Sequence, residues 1–209
     1  KNAIDSILKK GCDLMITVDC GISGNEEIDY ANSLGIETIV TDHHEPGDKL
    51  PNAIAVIDNK RKDSTYPFRE LAGVGVVFKL IQALGIKLGL KEETYLKYLD
   101  IVCLGTISDI VPLVDENRVI AKLGLMLVQQ TRNIGLRSII NSSGYKKVDS
   151  TTISFGVAPR INACGRMGMA EEALNLFLSK NINEVNELTK RLNEHNSLRQ
   201  SIEKQIFEE

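Results

Sequence analysis

Three groups of residues in this 209-residue chain combine types able to hold a cation and split a phosphate ester. Asp19 follows the apolar run Leu14-Met15-Ile16-Thr17-Val18. Asp42, His43 and His44 follow a second run, Ile36-Glu37-Thr38-Ile39-Val40, and Asp109 follows Ile101-Val102-Cys103-Leu104-Gly105. Carboxylate with imidazole is ligand chemistry for Mn2+, Mg2+ or Zn2+; softer metals want thiolates. Taken singly, Asp19 and Asp109 read as helix caps. Two adjacent histidines at a strand end, from a total of three, are harder to explain by packing, and all the groups together read as a metal site. Cys20 beside Asp19 has the type of a nucleophile, but no base is placed for it, so it reads as strand-end packing. Gly73-Val74-Gly75 has the type of a phosphate cradle, yet a lone Gly-x-Gly is explained more simply by close helix packing.

These groups need elements that bring them together. Asn2 to Lys10 reads as a short helix ended by Gly11. Strands are expected at Leu14 to Val18, Ile36 to Val40 and Ala53 to Ile57, the last stopping at Asp58. Between the first two, Ser23 and Glu26 form a capping-box pattern that opens a helix running to Leu34, closed by Gly35. Continuously apolar strands alternating with helices indicate an α/β fold with a parallel sheet covered on both faces. Ligands bind such sheets at the carboxyl ends of the strands, which is where Asp19 and Asp42 to His44 fall. If the two strands are neighbours, their side chains share one crevice.

After a turn-rich stretch from Asp58 to Arg69 the pattern becomes helical: Leu71 to Leu84, Glu92 to about Ser108, Arg118 to Arg132 and Leu136 to Asn141. From Asn183 to Glu209, Val185, Leu188, Leu192, Leu198, Ile202 and Ile206 mark one face of a single long helix. A stripe so narrow on so polar a helix is the pattern of a connector. The expected organisation is therefore a catalytic domain over residues 1–180 and a connector helix over 181–209.

Composition excludes several classes. At 43% hydrophobic and 25% charged residues the chain is globular rather than disordered or fibrous. No apolar run approaches the roughly 18 residues that cross a bilayer, and the first residues do not read as a signal peptide, so no membrane association is expected. Four cysteines without a CxxC pair fit a reduced, cytoplasmic setting better than a disulfide framework or zinc knuckle. The net charge of −3 hides an asymmetry: residues 117–169 carry eight Lys/Arg and only one acid, Asp149. A basic segment in an acidic chain is what a surface meeting an anionic polymer requires, and equally what a solvated basic helix face shows.

Thr17-Val18-Asp19-Cys20-Gly21-Ile22, Thr41-Asp42-His43-His44-Glu45 and Leu104-Gly105-Thr106-Ile107-Ser108-Asp109-Ile110-Val111-Pro112-Leu113, in this order, resemble the DHH phosphoesterases. Ala158-Pro159-Arg160-Ile161-Asn162-Ala163-Cys164-Gly165-Arg166-Met167 is similar to their RecJ branch, single-strand-specific 5′→3′ exonucleases. The resemblance implies that Asp19 bridges two divalent ions, Mn2+ or Mg2+, and that His43 and Asp109 bind one of them. It implies a catalytic environment in which Asp42 orients the histidine ligand while His44 faces the metals and the scissile phosphate. Arg160, Asn162 and Arg166 would contact the nucleic-acid backbone. The implied activity is release of mononucleotides from single-stranded DNA in repair and recombination; no protein partner is legible. The family's first motif, an Asp-x-Asp-Gly-type cluster, has no counterpart before Leu14, nor is there a second lobe with its glycine-histidine motif. The chain is thus expected to be an internal piece of a longer enzyme, inactive alone. Two alternatives stay open: a DHH phosphatase or oligonucleotidase acting on small phosphate esters, and a catalytically dead homologue that binds DNA or a protein partner.

Overall fold

The computed structural model describes residues 1–208. It is an α/β chain that divides into two compact units, residues 1–98 with 109–120 and residues 99–108 with 121 onward. The boundary expected at residue 180 is not where contacts divide it.

The first unit holds the sheet. α1 (Asn2–Lys9) leads to β1 (Leu14–Val18), α2 (Asn25–Ser33), β2 (Glu37–Asp42) and β3 (Ala55–Asp58), and the strands lie parallel in the order β1-β2-β3. In register, Val18 stands opposite Thr41, and Asp42 opposite Asp58. The strand ends that carry chemistry are therefore side by side. β2, the central strand, buries Thr38, Val40, Thr41 and Asp42, as a parallel strand flanked on both sides must. β1 does not follow the expected cover on both faces: Leu14, Ile16 and Val18 are 43%, 50% and 52% exposed, while Met15 on the other face packs with Ile4, Ala31 and Ile36.

Two local expectations are corrected. Ser23 does not cap a helix. Gly24 donates its N–H to Gly21 O at 3.0 Å and then serves as N-cap of α2, so the tight turn uses up Ser23. The single helix expected from Glu92 to Ser108 is two, α4 (Glu93–Leu96) after α3 (Gly73–Lys87), and then α5 (Leu99–Ser108). Tyr95 is buried against Gly85 of α3, whose missing side chain makes the room, and that anchor holds α4 in the first unit while α5 belongs to the second.

The second unit is helical. It comprises α5, the end of α6 (Asp115–Val128), α7 (Ile134–Ser142), a π-helical stretch (Thr152–Val157), α8 (Ala158–Arg166), α9 (Ala170–Leu178) and α10 (Ile182–Glu208). The π-stretch, α8 and α9 carried no periodic signal strong enough to be expected. A core of Cys103, Leu136, Ile139, Ile153, Val157, Cys164 and Leu176 is closed by Val185, Leu188 and Leu192 of α10. Burial pushes the Cys103 thiol up to about 12 and that of Cys164 up to about 11, so both are apolar filling at neutral pH.

The apolar stripe of α10 is covered only in its first half. Leu192 is fully buried, whereas Leu198, Ile202 and Ile206 are 48%, 39% and 66% exposed. Leu192→Ala should therefore cost about 2–5 kcal/mol of unfolding free energy, and Ile202→Ala no more than about 0.5 kcal/mol, measured by denaturant titration. Amide exchange should be slow to about Asn196 and fast beyond Leu198; uniform protection to the last turn would contradict this assignment.

Candidate metal centre

β1 and β2 end side by side, and the chain turns sharply after each. Asp19 adopts φ +61°, a left-handed conformation costing a non-glycine residue about 1–2 kcal/mol. Its N–H donates to Thr41 O at 3.0 Å, extending the strand pairing by one bond, while Thr17 Oγ1 donates to Cys20 O at 2.7 Å and closes the turn. A backbone held this way directs the Asp19 carboxylate to the end of β2 instead of along β1. Asp109 follows α5 and precedes Ile110, another left-handed residue at φ +60°.

His43 is the centre of the group. Its Nε2 lies 3.1 Å from Asp19 Oδ1 and 3.5 Å from Asp109 Oδ2, and its side chain is 9% exposed against 54% and 37% for the two carboxylates. That nitrogen is sealed from solvent and has no hydrogen-bond partner. A buried ring nitrogen at ion-pair distance from two carboxylate oxygens, with no hydrogen bond to either, is an arrangement that gains from one positive charge among the three, and a cation held by all of them supplies it. Ligand atoms of Asp19, His43 and His44 lie within 4.8 Å of one another. Partial burial pushes the Asp19 carboxyl above its ordinary 3.8, His43 opposes this, and the negative Asp109 adds to it.

Asp42 is 1% exposed, and its hold on His43 is on the main chain. Its Oδ1 accepts the His43 N–H at 2.8 Å, the His44 N–H at 3.3 Å and the His44 ring at Nδ1, 2.6 Å; its Oδ2 accepts the Ile22 N–H at 2.9 Å. Asp42 thus fixes the backbone of both histidines and the ring of His44. The bonds fall where a DHH tripeptide can supply them locally, since residues one and two positions on turn their amides back to the carboxylate.

Two participants were not read from the sequence. Asp58, in register with Asp42, is buried, takes the Lys60 N–H at 2.7 Å on Oδ1 and leaves Oδ2 unpaired. Burial pushes its carboxyl up. Gly73, the first residue of α3, abuts the Asp19 side chain. The Gly-x-Gly signal was visible, but spacing alone does not say what a glycine makes room for.

Arg160, Asn162 and Arg166 all stand on α8, in the second unit. Arg160 Nε donates to Asn193 Oδ1 at 2.6 Å and its Nη1 to Gly156 O, which ties α8 to α10. Asn162 and Arg166 are exposed and, with Ile161, Gly165, Ala170 and Ala173, line a surface cavity of about 530 Å3.

Residues 1–106 match the DHH family, N-terminal domain, and the chain belongs to this family. Within it the similarity is to RecJ proteins. The chain is 43% identical over its full length to the single-stranded-DNA-specific exonuclease RecJ of Bacillus subtilis, covering 26% of that protein, and 36% identical to the Escherichia coli RecJ, covering 37% of it. It spans well under half of these relatives. The crystal structure of Thermus thermophilus RecJ in complex with Mn2+ superposes on 98% of the chain with a TM-score of 0.88 at 36% identity, using 31% of that structure. The Mg2+ complex of the same protein superposes with a TM-score of 0.74.

The Asp42–His44 pair yields a pH test. Hydrogen bonding to Asp42 raises His44 above its ordinary 6.5. Burial raises Asp42, but bonds from the Ile22 amide, the His44 ring and the two histidine amides outweigh it, so its carboxyl titrates below 3.8. The raised base stabilises the fold fully below 6.5 and less as pH rises through its folded pKa; the depressed acid does so fully above 3.8 and less as pH falls through its own. The pair is therefore at full strength between those values. Asp42→Asn should bring the His44 ring titration, followed by NMR, down toward 6.5; an unmoved titration would detach His44 from Asp42.

Proposed function

We propose that the protein carrying this chain is a metal-dependent exonuclease that hydrolyses single-stranded DNA from the 5′ end and releases mononucleotides. The observation that carries this reading is the buried, unpartnered Nε2 of His43 between Asp19 and Asp109, drawn from three separate segments whose motifs recur in RecJ order. In the structures named above, RecJ is in complex with Mn2+ or with Mg2+, and one oxygen donor on either side of an imidazole suits those ions.

Asp19, His43 and Asp109 would hold the cation, with Asp19 free to share its second oxygen with a neighbouring ion. When bound, divalent ions acidify water and neutralise charge on the scissile phosphate. The chain's own groups do the rest. Asp42 holds His44 through Nδ1 and so leaves the other ring nitrogen, on a side chain 59% exposed, to hydrogen-bond a phosphate oxygen or pass a proton to the leaving oxygen. A pKa raised by Asp42 keeps that ring protonated at a higher pH than an isolated histidine. Arg166 and Asn162 would contact the DNA backbone, and the excess of basic residues over 117–169 would follow the strand. Arg160 is assigned mainly to holding α8 against α10, with backbone contact limited to whatever its remaining nitrogen reaches. The exposed second half of α10 fits a connector to further protein. Four unpaired thiols fit a reducing cytoplasm. Repair and recombination are the processes such an activity serves.

Two measurements test the reading. Mn2+ titration of the chain should show a site that Asp19→Ala abolishes; unchanged binding in that variant removes Asp19 from it. In the whole protein, His43→Ala should lower kcat on a 5′-phosphorylated strand far more than it weakens strand binding. Arg166→Ala should instead weaken binding and reduce the salt slope by about one phosphate contact. Equal effects on affinity would refute the division of roles, and faster cleavage of a dinucleotide than of a long strand would favour the oligonucleotidase alternative.

A further inference from the structure

We propose that Gly73 is a positioning residue for Asp19: the volume that a side chain would take at the start of α3 is the volume the Asp19 carboxylate occupies. The proposal rests on Asp19 as a metal ligand and adds a residue that touches neither metal nor substrate. A Cβ built on Gly73 would lie 2.6 Å from Asp19 Cγ and 2.8 Å from Asp19 Cβ, and closer still to Oδ1. Real side-chain carbons do not approach so closely. A clash with Oδ1 alone would be relieved by rotating the carboxylate, but contact with Asp19 Cβ is not, because that atom moves only with the backbone. The backbone is fixed: Asp19 is at φ +61°, and its N–H is bonded to Thr41 O. A methyl group at residue 73 would therefore shift α3 and the Asp19 turn apart and carry the carboxylate off the 3.1 Å position beside His43 Nε2.

The backbone itself does not ask for glycine there, since Gly73 does not take a positive φ. Gly75, two residues on, supplies an internal comparison: the nearest atoms to a Cβ there all belong to Leu71, the first being Cδ2 at 3.2 Å, the far end of a flexible side chain. A role in helix packing would penalise the two glycines through loss of fold. A role in placing Asp19 would affect Gly73 alone and act on metal affinity.

The experiment measures Mn2+ affinity by calorimetry and the metal-free thermal midpoint for the chain and for Gly73→Ala, Gly75→Ala and Asp19→Ala. Gly73→Ala should weaken Mn2+ binding about 10–100-fold, the usual range for residues that support metal ligands, while the chain stays folded at the temperature of the titration. Gly75→Ala should bind as the parent does. Mn2+ binding by Gly73→Ala at parental affinity would overturn the proposal. So would an equal loss of Mn2+ affinity in Gly75→Ala, since helix packing and not the placement of Asp19 would then set the affinity. A parent without Mn2+ binding, or an Asp19→Ala variant that binds like the parent, would overturn the metal reading itself and this proposal with it.

Discussion

The parallel pairing of β1 with β2, carried one bond beyond the last strand residue by Asp19 N–H to Thr41 O, is the constraint on which the candidate metal centre depends. Register in a parallel pair is all or nothing: a slip of one residue would turn every side chain of β1 to the other face. Here it sets Val18 against Thr41, so that the two chain exits lie abreast and Asp19 meets His43. The left-handed turn at Asp19 is a local cost borne for aim. It persists because the strand bond on one side and the Thr17–Cys20 bond on the other leave the residue no cheaper conformation.

The second level of organisation is electrostatic. Asp19, Asp42, Asp58 and Asp109 are four carboxylates around two imidazoles at the ends of three strands and one helix. Asp42 is the one whose charge the protein neutralises itself, through four hydrogen bonds to Ile22, His43 and His44. Asp19 has no such set of donors: burial and Asp109 both act against its charge. One carboxylate is finished as a structural element, and the other is left without hydrogen-bond donors, its charge favoured only by the neighbouring His43 and His44.

Strand positions were legible because β-branched runs ending in Asp stand out, and the parallel pairing of the first two followed from the helix between them, whereas β2 and β3 pair in parallel across a loop. The candidate metal residues stood out because two histidines adjacent at a strand end have few structural explanations, and the structure brings His43 and His44 beside Asp19. What Asp42 bonds was not legible: three consecutive residues, Asp42, His43 and His44, permit it to hold either ring, and only the backbone turn decides for His44. The helix from Glu92 to Ser108 was misread because its break comes from tertiary packing of Tyr95 on Gly85, which no periodicity records. α8 and α9 were missed for a related reason. At nine residues each they are too short to hold by themselves, and it is the core around Cys164, Ala173 and Leu176 that fixes them.

The second unit treats its basic residues unequally, and burial explains the split. Arg160 is tied to Asn193 and Gly156 O, an arrangement in which a planar, forked cation links α8, α10 and the end of the π-helical stretch at once. A lysine would make one of these bonds at a time, so the residue's shape matters there as much as its charge. Arg166, about one and two-thirds turns further along α8 and exposed, contributes nothing of that kind to the fold and keeps its charge for solvent or a ligand. Two arginines of one motif thus divide between holding the helix and presenting it. The motif's spacing is the consequence: six residues on a helix turn the second side chain well away from the face that the first one anchors.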